Sequence, residues 1–151
     1  MKILKIIFLF FFIFKGVFIS AQPSSKTDAI TGNWITEENE SIVEIFKKNN
    51  KYYGKIVWLN EPYEENGKPK KDTKNPNEEL RNEPIMGIVF MNNFVYDENN
   101  IWDSGKVYDP ESGNTYSGTL TLKDNNTLYL RGYIGFSIFG RTAIWKRKSK
   151  L

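Results

Sequence analysis

Residues 116–133 read Tyr-Ser-Gly-Thr-Leu-Thr-Leu-Lys-Asp-Asn-Asn-Thr-Leu-Tyr-Leu-Arg-Gly-Tyr, and this stretch decides the fold class. Tyr116, Leu120 and Leu122 fall on one side of an extended chain, and Ser117, Thr119 and Thr121 fall on the other. Leu128 and Leu130 then alternate with Tyr129 and Arg131. A period of two, with one apolar and one polar face, belongs to antiparallel strands buried on one side only. Between the two runs stands Asp124-Asn125-Asn126. These are turn residues, because their short polar side chains bond the local backbone and tolerate a left-handed conformation.

The same pattern extends outward in both directions. Strands are predicted over residues 31–36, 41–46, 52–59, 85–91, 94–97, 101–108, 116–123, 127–132 and 141–147. The run from Tyr52 to Leu59 is the densest in aromatic and β-branched residues. Turn signals separate the strands at Lys47-Lys48-Asn49-Asn50, Asn92-Asn93, residues 97–100 and residues 110–114. No segment keeps a 3.6-residue apolar period long enough for a long helix. The class is all-β. Eight or nine strands with short turns suit a single antiparallel up-and-down β-barrel, with a two-sheet sandwich as the alternative. Gly54, Gly105, Gly118 and Gly132 lie inside strands and mark the bends or bulges that barrel closure requires.

One connection is too long for a hairpin. Residues 60–84 are polar and rich in Glu, Lys, Asn and Pro. Long connections of this kind carry function or are solvated insertions. Asn75-Pro76 before Asn77-Glu78-Glu79-Leu80-Arg81 has the chemistry of a capped, proline-started helical turn. The expectation is a flexible tip over residues 64–71 and then a short helix packed by Leu80.

The chain starts with Lys2 and Lys5, an unbroken apolar run from Ile6 to Phe14, and Ser20-Ala21 before Gln22. Basic start, short apolar stretch and small residue at the cut describe a secretory signal. The alternative, a retained anchor, is disfavoured because Lys15 interrupts a run already shorter than the ~20 residues a bilayer needs. The organisation is therefore a signal peptide over 1–21, a linker over 22–30 and a barrel domain over 31–148. The destination is secreted or periplasmic, with no membrane span after cleavage. There is no cysteine at the cut to carry a lipid.

The formal charge is +3, and Lys2, Lys5 and Lys15 supply all of it. The mature chain is near neutral, so no nucleic-acid partner is expected. The basic tail of Lys146, Arg147, Lys148 and Lys150 reads as a solvated terminus. The chain has neither cysteine nor histidine. That removes Ser-His-Asp and Cys-His catalysis and the usual zinc ligands. A mature domain of about 130 residues buries enough surface to fold without disulfide or metal. No cofactor and no metal are expected. The residues 97–100 with Asp103 lack the full spacing of a calcium loop.

A set of short motifs resembles the secreted bacterial family called domain of unknown function 2147. They are Gly32-x-Trp34, Val43-Glu44-Ile45, Tyr53-Gly54-Lys55-Ile56-Val57-Trp58, Asp72-x-x-Asn75-Pro76, Leu80-Arg81 and Pro84-Ile85-Met86-Gly87. Then come Trp102-x-x-Gly105-x-Val107-Tyr108-Asp109-Pro110-x-Ser112-Gly113-x-x-Tyr116, Leu130-Arg131-Gly132-Tyr133 and Gly140-Arg141-Thr142-x-x-Trp145-x-Arg147. Ser104 stands where a second glycine is common in that family. The resemblance implies a small exported barrel and no established activity. A looser resemblance is to lipocalin-like barrels, which open on Gly-x-Trp and end on an Arg packed over that Trp. Here it implies Trp34 beneath Arg147 or Arg141, a cation–π contact of roughly 0.5–2 kcal/mol.

All four Trp and all eight Tyr lie after the signal. Aromatics either fill a small barrel or line a pocket in it, with Tyr hydroxyls and Arg guanidinium groups orienting a ligand. The candidate ligand-binding residues are Trp58, Tyr116, Arg131, Tyr133, Arg141 and Trp145. Gly32, Trp34, Asp109, Pro110, Gly113 and Arg147 are read as structural, and Asp109-Pro110-Glu111-Ser112-Gly113 as a self-capping turn. No catalytic residue is assigned. The leading expectation is non-catalytic binding of a small amphipathic or apolar ligand, in a cavity reached from one barrel end beneath the long connection. A pocketless cell-envelope interaction module is the alternative. A carboxylate-based glycan hydrolase comes third, and it needs Asp109 to meet Asp72 or Asp103 in one cleft.

Overall fold

The computed structural model describes residues 26–135, 138 and 140–149. The signal peptide, residues 22–25 of the linker and Lys150 lie outside the described residues. Among those described, eight strands form a closed antiparallel barrel: β1 (Gly32–Ile35), β2 (Ser41–Lys48), β3 (Lys51–Leu59), β4 (Val89–Tyr96), β5 (Ile101–Asp109), β6 (Asn114–Asp124), β7 (Thr127–Tyr133) and β8 (Arg141–Arg147). Each strand pairs with its sequence neighbours, and β8 closes on β1 through Trp34 opposite Arg147 and Ile35 opposite Lys146. The barrel, not the sandwich, is the fold.

The alternation in residues 116–133 is borne out. Leu120, Leu122, Leu128 and Leu130 point into the core, while Thr119, Thr121, Tyr129 and Arg131 are only partly buried. They join Trp34, Val43, Ile45, Tyr52, Met91, Phe94, Trp102 and Trp145 in one cluster. Trp102 takes the edges of Tyr52 and Tyr96, with ring centroids 6.1 and 5.2 Å away.

The strand count corrects one reading. Residues 85–91 and 94–97 were expected as separate strands around an Asn92-Asn93 turn, yet β4 runs through both asparagines. Asn93 has φ 63°, and the register against β3 slips there, from Tyr52 opposite Phe94 to Gly54 opposite Met91. The extra residue makes a bulge. Because it resets the alternation, Met91 and Phe94 both reach the core although three positions apart. A matching slip occurs in β5 between Trp102 and Gly105, with Ser104 at φ 62°. Gly105 and Gly118 then serve close approach: a Cβ on either would strike the Phe94 ring.

The two barrel ends differ. At one end residues 26–31 run across the opening and plug it. Ile30 is fully buried, Trp34 Nε1 donates to its carbonyl at 2.8 Å, and Trp102 Nε1 donates to the Thr27 carbonyl at 3.1 Å. The Arg147 guanidinium lies 4.2 Å from the Trp34 ring and donates to the carbonyls of Ala29 and Thr31 at 2.6 and 2.9 Å. Arg147, rather than Arg141, is thus the residue over Trp34. Among the described residues, the opposite end carries a cleft instead of a plug.

Candidate functional site

The open end is where β3 stops, β4 begins, and the hairpins β5–β6 and β7–β8 reach their tips. The core cluster fills the barrel below it. Above the cluster is a cleft of about 620 Å³, within the roughly 300–1,000 Å³ usual for small-molecule sites. Ile56, Ile85, Phe90, Val107 and Trp145 make its apolar floor. Phe90 and Trp145 span that floor with ring centroids 6.4 Å apart. Ile56, Phe90, Val107 and Trp145 come from β3, β4, β5 and β8, with Trp145 also part of the core cluster, and Ile85 comes from the connection before β4.

The rim is charged. Glu40, Glu61, Lys70, Asp109, Glu111 and Arg141 line it. Lys70 pairs with Glu61 at 3.3 Å, and Arg141 with Glu37 at 3.6 Å. Both rim cations are therefore already engaged by carboxylates.

The long connection borders this cleft through Asn60, Glu61, Lys70 and Ile85. The tip expected to be flexible folds as a small hairpin, with Tyr63 bridged to Pro69 and Glu64 N bonded to Lys68 O at 2.8 Å. The predicted helical turn is a short 3-10 helix, Glu78–Leu80, capped by Asn77, whose side chain accepts from Glu79 N. Leu80 does not pack it down. It is 45% exposed, because a single turn of helix buries no continuous face.

What docks the connection is a carboxylate. Asp72 is 1% exposed and accepts from Tyr108 Oη and Asn75 Nδ2, each at 2.6 Å. Burial, and next the bond to Asp72, push the Tyr108 phenol above its ordinary pKa. Beside it, the Asp109 carboxylate accepts from Glu111 N at 3.0 Å and from the Ser112 hydroxyl, closing the turn at Pro110. Gly113 has φ 75° and backs onto the Lys74 carbonyl, where a Cβ would not fit. Lys74 Nζ completes the join by donating to the Glu111 carbonyl. Two motifs far apart in sequence, Asp72-x-x-Asn75 and residues 108–113, thus form one contact.

Of the candidate ligand-binding residues, Arg141 and Trp145 line the cleft. Trp58 is 43% exposed on β3, where Ile42 faces Trp58 and Val43 faces Ile56, so Val57 is an extra, bulged residue beside it. Tyr116 and Tyr133 are half-buried and outside the lining, and Arg131 donates to Thr142 Oγ1 at 2.9 Å on the neighbouring strand. The structural candidates stand as follows. Gly32, at φ 115°, lies under Arg147, Trp34 is buried, and Asp109, Pro110 and Gly113 shape the β5–β6 turn. The carboxylate pairs do not share the cleft. Asp109 lines it, Asp72 is covered by Tyr108 and Asn75, and Asp103 accepts from Thr119 Oγ1 at 3.0 Å. The floor residues Ile56, Phe90 and Val107 and the rim acids Glu40, Glu61 and Glu111 were missed. For Ile56, Phe90 and Val107 the signal was strand alternation; the three acids lie in connections, where no periodicity marks them.

The family model described as an uncharacterized protein conserved in bacteria, domain of unknown function 2147, matches residues 32–147, and the chain belongs to that family. Among solved structures it is similar to protein HP1028 from the human pathogen Helicobacter pylori, described as belonging to the lipocalin family. The two are 30% identical with a TM-score of 0.70, over 79% of this chain and 82% of that one. A search of curated proteins gives no match. The fold is a lipocalin-like closed barrel.

Proposed function

We propose that this chain is an exported binding protein that holds a small apolar or amphipathic ligand in the open end of its barrel. The observation that carries this reading is the asymmetry of the barrel. One end is plugged by residues 26–31, and the other leaves an apolar floor of Ile56, Phe90, Val107 and Trp145 beneath a charged rim. Such a site buries an apolar body and keeps a polar end in water. The lipocalin-family description of HP1028 agrees with it. A pocketless envelope module is less well supported. Its mark would be an exposed aromatic patch or an unpaired strand edge; among the described residues every strand is paired on both sides, while Trp58 and Tyr63 are exposed.

Export rests on the basic and apolar start of the sequence with its small residue at Ala21. Protein recovered from the periplasm or medium should begin near Gln22, and an intact Met1 start on the exported protein would overturn this part.

The binding test uses N-phenyl-1-naphthylamine, a neutral amphipathic dye that brightens in apolar sites. Wild-type protein is expected to enhance its emission saturably. Ile56→Trp, which fills the floor, should weaken binding roughly tenfold, about 1.4 kcal/mol, with an unchanged circular dichroism spectrum. No enhancement by wild type, or an Ile56→Trp variant that binds as well, would sink the cleft as the site.

A further inference from the structure

We infer that the cleft selects amphiphiles with a cationic polar end and discriminates against anionic ones. This inference rests on the cleft being the binding site. Its basis is the accounting of charge around the mouth. Four carboxylates, Glu40, Glu61, Asp109 and Glu111, face two lining cations, Lys70 and Arg141, and Lys74 adds a third where its Nζ donates to the Glu111 carbonyl. Each of the two lining cations lies beside a carboxylate. Lys70 is held by Glu61 at 3.3 Å, and Arg141 by Glu37 at 3.6 Å, so Glu37 adds a further negative charge beside the rim.

The acids are not all used in the same way. Asp109 spends its oxygens on the Glu111 amide and the Ser112 hydroxyl, and so is a fixed negative charge locked into the turn. The side chains of Glu40 and Glu111 are exposed, and among the described residues no hydrogen bond or ion pair engages either carboxylate. The two residues sit on different elements: Glu40 precedes β2, and Glu111 is in the β5–β6 turn. A ligand whose tail rests on Phe90 and Trp145 would carry its head group up between these acids. There a primary or quaternary ammonium is attracted and a carboxylate or sulfate repelled. The apolar floor sets depth and the acidic rim sets sign.

The rim is open to water, so the discrimination is moderate and salt-sensitive. Decylammonium and decanoate share one tail and differ in head charge, and each can compete for the cleft against N-phenyl-1-naphthylamine. At low salt decylammonium is expected to displace the dye at a concentration at least ~5-fold lower than decanoate does, with the gap narrowing as salt rises. The double variant Glu40→Gln with Glu111→Gln keeps both side-chain shapes and should shrink that gap. Equal displacement by the two surfactants, or stronger displacement by decanoate, would overturn the charge selectivity while leaving the cleft as the binding site. A gap unaltered in the double variant would also overturn it. Failure of the dye itself to bind would instead overturn the cleft reading.

Discussion

Ser104 shows how much one backbone angle decides. Its φ of 62° places a side chain in the left-handed region, inside the β5 bulge that lets Trp102 and Gly105 both face inward. A Cβ there costs roughly 1–2 kcal/mol, while glycine adds freedom to the unfolded chain that offsets part of the gain. Ser104→Gly is therefore expected to stabilise the barrel by about 0.5–1 kcal/mol, read as a higher urea midpoint at constant slope. An unchanged or lower midpoint would mean the bulge does not strain this residue. Sequence reading flagged Ser104 only through the family resemblance, because nothing local distinguishes a serine in a bulge from one on a strand. Arg147 was legible through the lipocalin-like resemblance, which left Arg141 open beside it, and the pairing of β8 with β1 at Trp34 decides between them. Asp72 was not legible as a buried group. Its partner Tyr108 is 36 residues away, and no periodicity reports on such a contact.

At the level of elements, regular alternation was readable and its interruptions were not. Residues 116–133 alternate cleanly and became β6 and β7. Asn92-Asn93 carries turn chemistry, and that chemistry is real: Asn93 does adopt a positive φ, but inside β4. A bulge and a turn use the same residues, so only the pairing across β3 and β5 separates them. The long connection was seen as an insertion with a helical turn, but its latch was not. That latch has a pH signature. The Tyr108 phenol, desolvated and donating to Asp72, has a folded pKa raised above its ordinary 10.0. The unfolded chain then loses this proton first. The stabilisation is fully present below about pH 10 and is lost as pH rises beyond it. Tyr52, which is shifted the same way, adds to the slope. Wild-type stability should fall between about pH 9 and about pH 11 in urea titrations. Tyr108→Phe should be less stable at neutral pH by about 1–3 kcal/mol, because Asp72 loses a donor while staying buried. Its loss between the two pH values should be smaller. An equal alkaline loss in both proteins would remove Tyr108 from the account.

Over the whole molecule, the barrel divides the work between its ends. The plugged end concentrates stabilising contacts: buried Ile30, two indole donors bonded to the carbonyls of Thr27 and Ile30, and Arg147 across Trp34. The open end floors its cleft with buried Ile56 and Trp145 and half-buried Ile85, Phe90 and Val107, under a charged rim. The sequence reading assigned residues 22–30 to a linker because short polar and small residues dominate there. It could not show that the last of them, Ile30, returns to the core. The division makes the two ends separable. Truncating Ile30 to alanine leaves a gap under Trp34, and large-to-small changes at buried sites cost about 2–5 kcal/mol. Ile30→Ala should lower the urea midpoint by that amount. Below the unfolding transition it should bind N-phenyl-1-naphthylamine within about twofold of wild type, since the core layers of Trp102, Leu120 and Phe94 stand between the plug and the cleft. Ile56→Trp should do the reverse, weakening dye binding with little change in midpoint. If Ile30→Ala abolished binding in the folded state, the two ends would be coupled through the core, and the plug would belong to the site.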